Sequence, residues 1–141
     1  MRHFLTLADL TPAELQEILD LAVQLKTEWK AGGNPPLLAG KVLGMIFQKP
    51  SLRTRVSFDM AMLHLGGHAL YLSPNEIQLG KRESTADVAR VLARYVHVIM
   101  ARVFDHADVV ELAKWSTVPV INGLSDYSHP CQGVADFLTI L

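Results

Sequence analysis

Residues 42–55 read VLGMIFQKPSLRTR, an apolar run that ends in a loop of hydroxyl and guanidinium side chains. The run has the length and composition of a buried β-strand, and apolar residues recur at helical spacing after the loop. The loop therefore opens a helix, whose first turn carries unpaired N–H groups and the positive end of the helix dipole. Because such groups attract phosphate, this junction predicts a phosphate site.

The side chains of the loop favour the same interpretation. Ser51 and Thr54 supply hydroxyl donors, and Arg53 and Arg55 supply planar guanidinium groups that match phosphate oxygens. Two arginines alone are more often ordinary solvated surface charge. Their coincidence with a strand end and a helix start favours the anion site over that alternative.

Strand and helix patterns alternate along the rest of the chain. A capping box at Thr11, with Pro at the first helical position, predicts a first helix that ends at about Lys30. This alternation predicts an α/β fold: a three-layer domain with a four-stranded parallel sheet flanked by helices on both faces. The further predicted segments are strands at 68–72, 97–101 and 118–121, an exposed loop at 73–80, a connection at 122–125, and helices at about 84–95, 105–115 and from 130 onward.

Polar motifs follow three of the four predicted strands. The first is Ser51 to Arg55, the second is Arg102, and the third is the HPCQ sequence from His129 to Gln132. In open parallel sheets, ligands bind beyond the carboxyl ends of the strands. We therefore expect all three motifs to meet at one edge of the sheet.

Each of these motif residues, taken alone, has a plain structural alternative. Arg102 could neutralise Asp105 or Asp108 next to it, and His129 could satisfy a backbone carbonyl at a helix start. Cys131 suggests a thiol nucleophile, although a lone cysteine is usually a small packed residue. These residues point to a site only in combination with the first loop.

Composition limits the possible partners. The chain has 141 residues, half of them hydrophobic, which is the size and composition of one globular domain. A net charge of −1 gives no basic surface for nucleic acid or for an anionic membrane, and no apolar run is long enough to span a bilayer. One cysteine, no evident secretion signal and scattered histidines favour a cytoplasmic protein that binds a small molecule and uses no metal or cofactor.

The motifs together resemble the carbamoyl-phosphate domain of the aspartate/ornithine carbamoyltransferase family. The SLRTR loop at 51–55, Arg102 and the HPCQ sequence at 129–132 occur in the order and spacing of that family. The segment from Gln78 to Ser84 and the cysteine at 131 are more similar to the ornithine branch than to the aspartate branch. Leu52 is a departure, because the family most often has Thr there; the backbone N–H is kept and the hydroxyl is lost.

The resemblance implies an enzyme that moves a carbamoyl group from carbamoyl phosphate to the side-chain amine of L-ornithine, giving L-citrulline and phosphate. It implies catalytic roles for Arg53, Arg102 and His129. Arg102 and His129 are expected to contact the carbonyl oxygen of the carbamoyl group, and Gln132 its amide. The implied carbamoyl-phosphate ligands are Ser51, Leu52 (through its backbone), Arg53, Thr54, Gln78, Arg102, His129, Pro130, Cys131 and Gln132.

The resemblance also implies a homotrimer. Gln78 is expected to reach the site of a neighbouring subunit, and Glu83 to pair there with Arg53. Family members carry a second, amine-binding domain, so residues 1–141 are expected to be the carbamoyl-phosphate domain alone and to be inactive in isolation. Two alternatives stay open: a transcarbamoylase acting on N-acetylornithine, putrescine or aspartate, and a non-catalytic module that binds phosphoanions.

Overall fold

The computed structural model describes residues 1–141 and contains one sheet of four parallel strands in the order β2-β1-β3-β4. The predicted α/β class and the parallel sheet are confirmed. The strands are β1 Val42–Phe47, β2 His68–Leu72, β3 Val98–Arg102 and β4 Val120–Leu124. The helices are α1 Pro12–Lys30, α2 Leu52–His64, α3 Pro74–Ile77, α4 Thr85–Leu92, α5 His106–Trp115 and α6 Pro130–Ile140.

The core lies on both faces of the sheet, as the continuous apolar runs of its central strands require. In β1, Leu43, Met45 and Phe47 pack on the face that carries α2, while Ile46 packs on the face that carries α4 and α5. Gly44 lets α4 approach closely, because a Cβ there would lie 3.2 Å from the Leu92 side chain. The sheet is therefore the middle of three layers.

The first helix begins as its capping box predicts. The Thr11 hydroxyl accepts a hydrogen bond from the Glu14 N–H at 3.3 Å, and the Glu14 carboxylate accepts one from the Thr11 N–H at 2.8 Å. Arg2 also donates to that carboxylate, and these bonds lower the pKa of Glu14 to about 2. This end of α1 is fixed by local groups only.

Several predicted segments differ from the structure, and the third strand lies one residue later than predicted, at Val98–Arg102. The segment 73–80 is not wholly an exposed loop, because the Ser73-Pro74-Asn75-Glu76 capping box starts the one-turn helix α3 and Leu79 is buried in the core. Helix α4 ends at Leu92 rather than Tyr95. Strand β4 begins at Val120 and includes residues 122–124 of the predicted connection, because Phe4 hydrogen-bonds Val120 and Asn122 along its outer edge.

Helix α2 divides its apolar residues between two faces. Phe58 and Met62 face the sheet, whereas Met60 lies on the opposite side and is 39% exposed. The reason is helical spacing, because residues three or four apart share a face. Residues 54, 58 and 62 lie on the inner face, and residues 52, 56, 60 and 63 lie on the outer face. We call Leu52, Val56, Met60 and Leu63 the outer stripe of α2; all four are exposed.

None of the helices combines the length and the apolar composition needed to cross a bilayer.

Candidate active site

A cavity of about 460 Å³ opens at the carboxyl edge of the sheet. The starts of α2 and α6 and the ends of β3 and β4 surround it, as the positions of the polar motifs predict. No carboxylate lines the cavity, so its only charged side chains are the two arginines. Its lining residues are Ser51, Arg53, Thr54, Ser57, Phe58, Arg102, Gly123, Leu124, His129, Cys131, Gln132 and Ala135.

The start of α2 supplies one group of donors. Ser51 caps this helix: its hydroxyl oxygen accepts from the Thr54 N–H at 3.3 Å, and the two hydroxyl oxygens are 3.0 Å apart. The N–H groups of Leu52 and Arg53 occupy the first two helical positions, where no carbonyl one turn back can accept them. They are thus available to an anion in the cavity.

The start of α6 supplies a second group. His129 is the N-cap residue and makes no side-chain cap bond, and Pro130, which has no N–H, is buried at the first helical position. Cys131 and Gln132 follow in the first turn and line the cavity. Two helix N-termini, each with the positive end of a helix dipole, therefore converge on one space.

Arg102, the last residue of β3, points into this space without a neutralising carboxylate. Its Nη1 donates to the Thr54 hydroxyl oxygen at 3.2 Å, while its Nε is buried and has no hydrogen-bond partner. The two nearby carboxylates are used elsewhere: Asp105 caps α5, and Asp108 accepts from Gln48 at 3.0 Å. The alternative in which Arg102 neutralises one of them is not realised.

Burial and charge act together on the Arg102 guanidinium. Its pKa is lowered first by burial and then by the nearby positive charge of Arg53. Arginine nevertheless stays protonated in proteins. Two like charges are therefore held close together without a counter-ion, an arrangement that a bound anion would relieve.

The imidazole of His129 is also left without a partner. Its Nδ1 is buried and makes no hydrogen bond, so the ring does not satisfy a backbone carbonyl. Burial lowers the pKa of His129, the positive charge of Arg102 lowers it further, and Asp136 partly opposes both. The ring is therefore neutral at pH 7 and offers one N–H donor and one acceptor.

Cys131 does not have the surroundings of a nucleophile. Its thiol lies 3.7 Å from the backbone oxygen of Asn122, and burial raises the pKa of the thiol to about 11. A reactive cysteine needs the opposite shift, because the thiolate is the nucleophile. Cys131 is a packed residue beside the cavity.

The predicted site residues divide into those that line the cavity and those that do not. Ser51, Arg53, Thr54, Arg102, His129, Cys131 and Gln132 line it, and the Gln132 amide group also donates to Asp136 at 2.8 Å. The Leu52 side chain is 77% exposed on the outer stripe, and neither Leu52 nor Pro130 is among the lining residues. Arg55 lies outside the cavity, with its guanidinium carbon 3.9 Å from the centre of the Tyr71 ring.

Gln78 belongs to a different cavity of the same chain. That second cavity, of about 430 Å³, is also lined by Asn75, Lys81 and Phe104. Gln78 has a left-handed backbone with φ of 46° and its side chain donates to the Asn75 carbonyl at 3.3 Å. Glu83 forms no salt bridge within the chain, and no three His, Cys, Asp or Glu side chains come together as a metal site would require.

Sequence reasoning missed several lining residues. Ser57 lies one helical turn after Arg53, and Phe58 lies one turn after Thr54, so the 3.6-residue period was the available signal. Gly123 and Leu124 were missed because the fourth strand was predicted to end too early. Ala135 carries no chemical signal of its own.

Comparisons with known proteins agree with this geometry. An ornithine carbamoyltransferase of Pyrococcus abyssi is 61% identical over 139 residues, which is 99% of this chain and 44% of that relative. The solved ornithine carbamoyltransferase of Pyrococcus furiosus matches with a TM-score of 0.97 at 60% identity, over 99% of this chain and 44% of its own. That of Campylobacter jejuni, described as anabolic, matches with a TM-score of 0.94 at 44% identity, over 99% and 45%.

The chain thus spans less than half the length of these relatives. The family model for the aspartate/ornithine carbamoyltransferase carbamoyl-P binding domain matches residues 2–141, nearly every residue of the chain. On this match, the chain belongs to the aspartate/ornithine carbamoyltransferase family and carries its carbamoyl-phosphate-binding domain.

Proposed function

We propose that this chain binds carbamoyl phosphate as one half of an ornithine carbamoyltransferase, and that the amine acceptor binds to a second domain. One observation carries the proposal: two helix N-termini and two guanidinium groups without salt bridges face one cavity that no carboxylate lines. That arrangement suits a small dianion, because N–H dipoles and arginine forks both match phosphate oxygens.

The start of α2 holds the phosphate group in this proposal. The Ser51 and Thr54 hydroxyls, the Leu52 N–H and the Arg53 guanidinium supply neutral and charged donors from one turn of helix. Leu52 keeps the backbone N–H that a Thr would also offer, so its side chain is not required for binding. A bound dianion offsets the repulsion between the positive charges of Arg53 and Arg102.

The carbamoyl group lies toward the start of α6. Arg102 and the neutral ring of His129 donate to its carbonyl oxygen, and Gln132 with the adjoining turn of Pro130 and Cys131 holds its amide. The ornithine amine attacks the carbamoyl carbon, forming the C–N bond and placing negative charge on that oxygen. The carbonyl then re-forms as the C–O bond to phosphate breaks, and the leaving phosphate, which carries the electron pair, takes up the proton that the attacking nitrogen loses, giving citrulline. Donors fixed before the reaction stabilise this charge most effectively.

Ornithine as the acceptor rests on the relatives rather than on the cavity. Curated relatives at 53–61% identity are named ornithine carbamoyltransferase, and one of them, from Pyrococcus furiosus, is described as anabolic. An anabolic enzyme of this kind serves arginine biosynthesis. The single cysteine of this chain, Cys131, is free, which suits a reducing compartment such as the cytoplasm.

A homotrimer completes the proposed enzyme. The outer stripe of α2 exposes four large apolar side chains directly behind the phosphate-binding turn, and such stripes commonly pack against another surface. Gln78 and Glu83 are exposed and make no contact with the cavity of their own chain. In the trimer, Gln78 reaches a neighbouring cavity and Glu83 pairs with Arg53 there.

A chimeric enzyme tests the proposed activity. The matching 139 residues of the Pyrococcus abyssi relative are replaced by this chain, and citrulline is measured with carbamoyl phosphate and ornithine as substrates. We expect turnover in the chimera, and a loss on the order of 100- to 1,000-fold when His129→Ala removes one donor to the oxyanion. A folded chimera that forms no citrulline would contradict the proposal.

A further inference from the structure

The position of the His129 ring depends on its backbone. The ring makes no hydrogen bond within the chain, and the buried Pro130 holds only the backbone on the C-terminal side of His129. On the preceding side, the chain leaves β4 and passes through a turn at residues 125–128. Whatever fixes this turn also fixes the backbone from which the imidazole projects into the cavity before a ligand is bound.

Two buried side chains hold the turn. The Ser125 hydroxyl oxygen, in a residue only 5% exposed, accepts from the Ser128 N–H at 3.2 Å, while the Ser125 N–H donates to the Ser128 carbonyl at 3.0 Å. Asn122, which is fully buried, uses one amide nitrogen for three acceptors. These are the Leu5 carbonyl at 3.0 Å, the Ser128 carbonyl at 3.2 Å and the Ser125 hydroxyl oxygen at 3.2 Å.

A third residue reaches the same hydroxyl from helix α5. The Nδ1 of His106 lies 2.7 Å from the Ser125 hydroxyl oxygen, and the His106 N–H donates to Asp126 at 2.8 Å. Two N–H groups already donate to that oxygen, so its own proton goes to its closest acceptor, the His106 Nδ1. The turn is thus tied to β4, to α5 and to the N-terminal segment.

We propose that Ser125 and Asn122 are positioning residues for His129, which hold its imidazole in the cavity through the 125–128 turn. The role in binding rests on the proposed function, because it matters only if His129 contacts the carbamoyl group. Donors must be held to within a fraction of an ångström to act on a reacting oxygen. A hydrogen-bond network that ties Ser125, Asp126 and Ser128 to neighbouring residues provides that rigidity.

A matched pair of serines separates this role from a purely structural one. Ser116, which is 6% exposed, forms the same kind of local bonds at the opposite end of β4: its hydroxyl donates to the Val118 carbonyl at 2.7 Å and accepts from the Val118 N–H at 3.1 Å. Ser116→Ala and Ser125→Ala each remove one buried hydroxyl with local backbone partners. Only the second touches the turn that carries His129.

The experiment compares these two variants with the unaltered chain. Without ligand, the ring signals of His129 are followed by NMR; with ligand, the affinities for inorganic phosphate and for phosphonoacetamide, a stable carbamoyl-phosphate analogue, are measured by calorimetry. In Ser125→Ala we expect the His129 ring signals to shift and broaden. The affinity for phosphonoacetamide should fall about tenfold, as for one lost buried hydrogen bond, and that for phosphate by less than about twofold.

Ser116→Ala should lower the melting temperature comparably and change neither the ring signals nor the affinities. Ser125→Thr, which keeps the hydroxyl, should restore the ring signals. Unchanged His129 signals in Ser125→Ala would overturn the proposal, as would equal losses of affinity for both ligands. If Ser125→Ala does not fold, His106→Ala removes one partner of the same hydroxyl, and the proposal then requires the His129 signals to shift.

The two proposals fail separately. If the unaltered chain binds neither ligand, the proposed function is wrong. The positioning role still stands in that case if the ligand-free ring signals of His129 depend on Ser125 and not on Ser116.

Discussion

The two ends of the sheet differ in whether their buried polar side-chain atoms all have hydrogen-bond partners. At the amino end, ring nitrogens and hydroxyls serve the fold: the Nδ1 of His97 accepts from the Val42 N–H, and that of His3 accepts from the Val120 N–H, each at 3.0 Å. At the carboxyl end, the Nε of Arg102, the Nδ1 of His129 and the Oδ1 of Asn122 are buried without partners. They are the only buried side-chain polar atoms of the chain left so.

This difference indicates that the carboxyl end of the sheet contains buried atoms that lower the stability of the ligand-free chain. A buried polar atom without a partner costs about 1 to 3 kcal/mol, so proteins satisfy nearly all of them. Two of these three residues, Arg102 and His129, line the cavity at the carboxyl edge, where parallel sheets bind their ligands, and so indicate groups whose partner arrives with the ligand; Asn122 does not line it. At the amino end, by contrast, the histidine ring nitrogens have backbone N–H partners within the fold.

Replacing Arg102 should produce the largest effect. Arg102→Met removes a charge-assisted contact to the dianion, and we expect calorimetry to show affinity for phosphonoacetamide lowered on the order of 100-fold. Because the Nε of this partly exposed side chain is buried without a partner, the free energy of unfolding should stay equal or rise by about 1 kcal/mol. Arg94→Met is the control, since Arg94 is exposed just after α4, forms no salt bridge and does not line the cavity, and both properties should stay unchanged. A loss of stability without loss of affinity in Arg102→Met would break the contrast between the two ends.

Two helix caps offer a second comparison. Ser51 and Thr11 cap α2 and α1 with similar hydrogen bonds, but only Ser51 lines the cavity. Ser51→Ala and Thr11→Ala should each lower the free energy of unfolding by about 1 kcal/mol in urea denaturation. Only Ser51→Ala should also weaken phosphonoacetamide binding, by about tenfold. Equal binding by the two variants would remove Ser51 from the site.

The smallest expected effect concerns pH. The pKa values of His129 and His3 are both lowered in the folded chain, by burial first and then by Arg102 or by the N-terminal amine. The unfolded chain therefore takes up these protons first as the pH falls below about 6.5, and the free energy of unfolding should decrease in that range. NMR titration should place both midpoints below 6.5.

Ligand binding should separate the two histidines. A bound dianion favours the imidazolium form of a nearby ring, so saturating phosphonoacetamide should raise the pKa of His129 and leave that of His3 unchanged. Equal movement of both midpoints, or of neither, would show that His129 does not face the bound anion.

The sequence predicted most of the fold because strong local signals agree with it. The capping box at Thr11, the apolar run of β1 and the three polar motifs after strands all specify their own surroundings. Strand β4 was misplaced because its extent depends on Phe4, which pairs with Val120 and Asn122 from far away in the chain. No local pattern in residues 118–125 contains that information.

The candidate site was predictable to the same degree. Ser51, Arg53, Thr54, Arg102 and His129 could be placed together, because strand order alone brings them to one edge. Which arginine of the loop faces the cavity was not predictable from spacing alone, since Tyr71 on β2 attracts Arg55 away from it. The hydrogen bonds of the 125–128 turn were also not predictable, because they involve His106 on α5 and Asn122, which itself bonds Leu5 far away in the chain.

The central claim is that donors left open at the carboxyl edge form a site for a phosphate-bearing ligand. Titrating the chain with phosphonoacetamide while recording backbone amide NMR spectra tests it most directly. We predict saturable shifts of the amides of Leu52, Arg53, Cys131 and Gln132, the two helix starts, with no comparable change at Lys81 in the second cavity. Shifts confined to Lys81 and its neighbours, or no saturable shift at either helix start, would contradict the account.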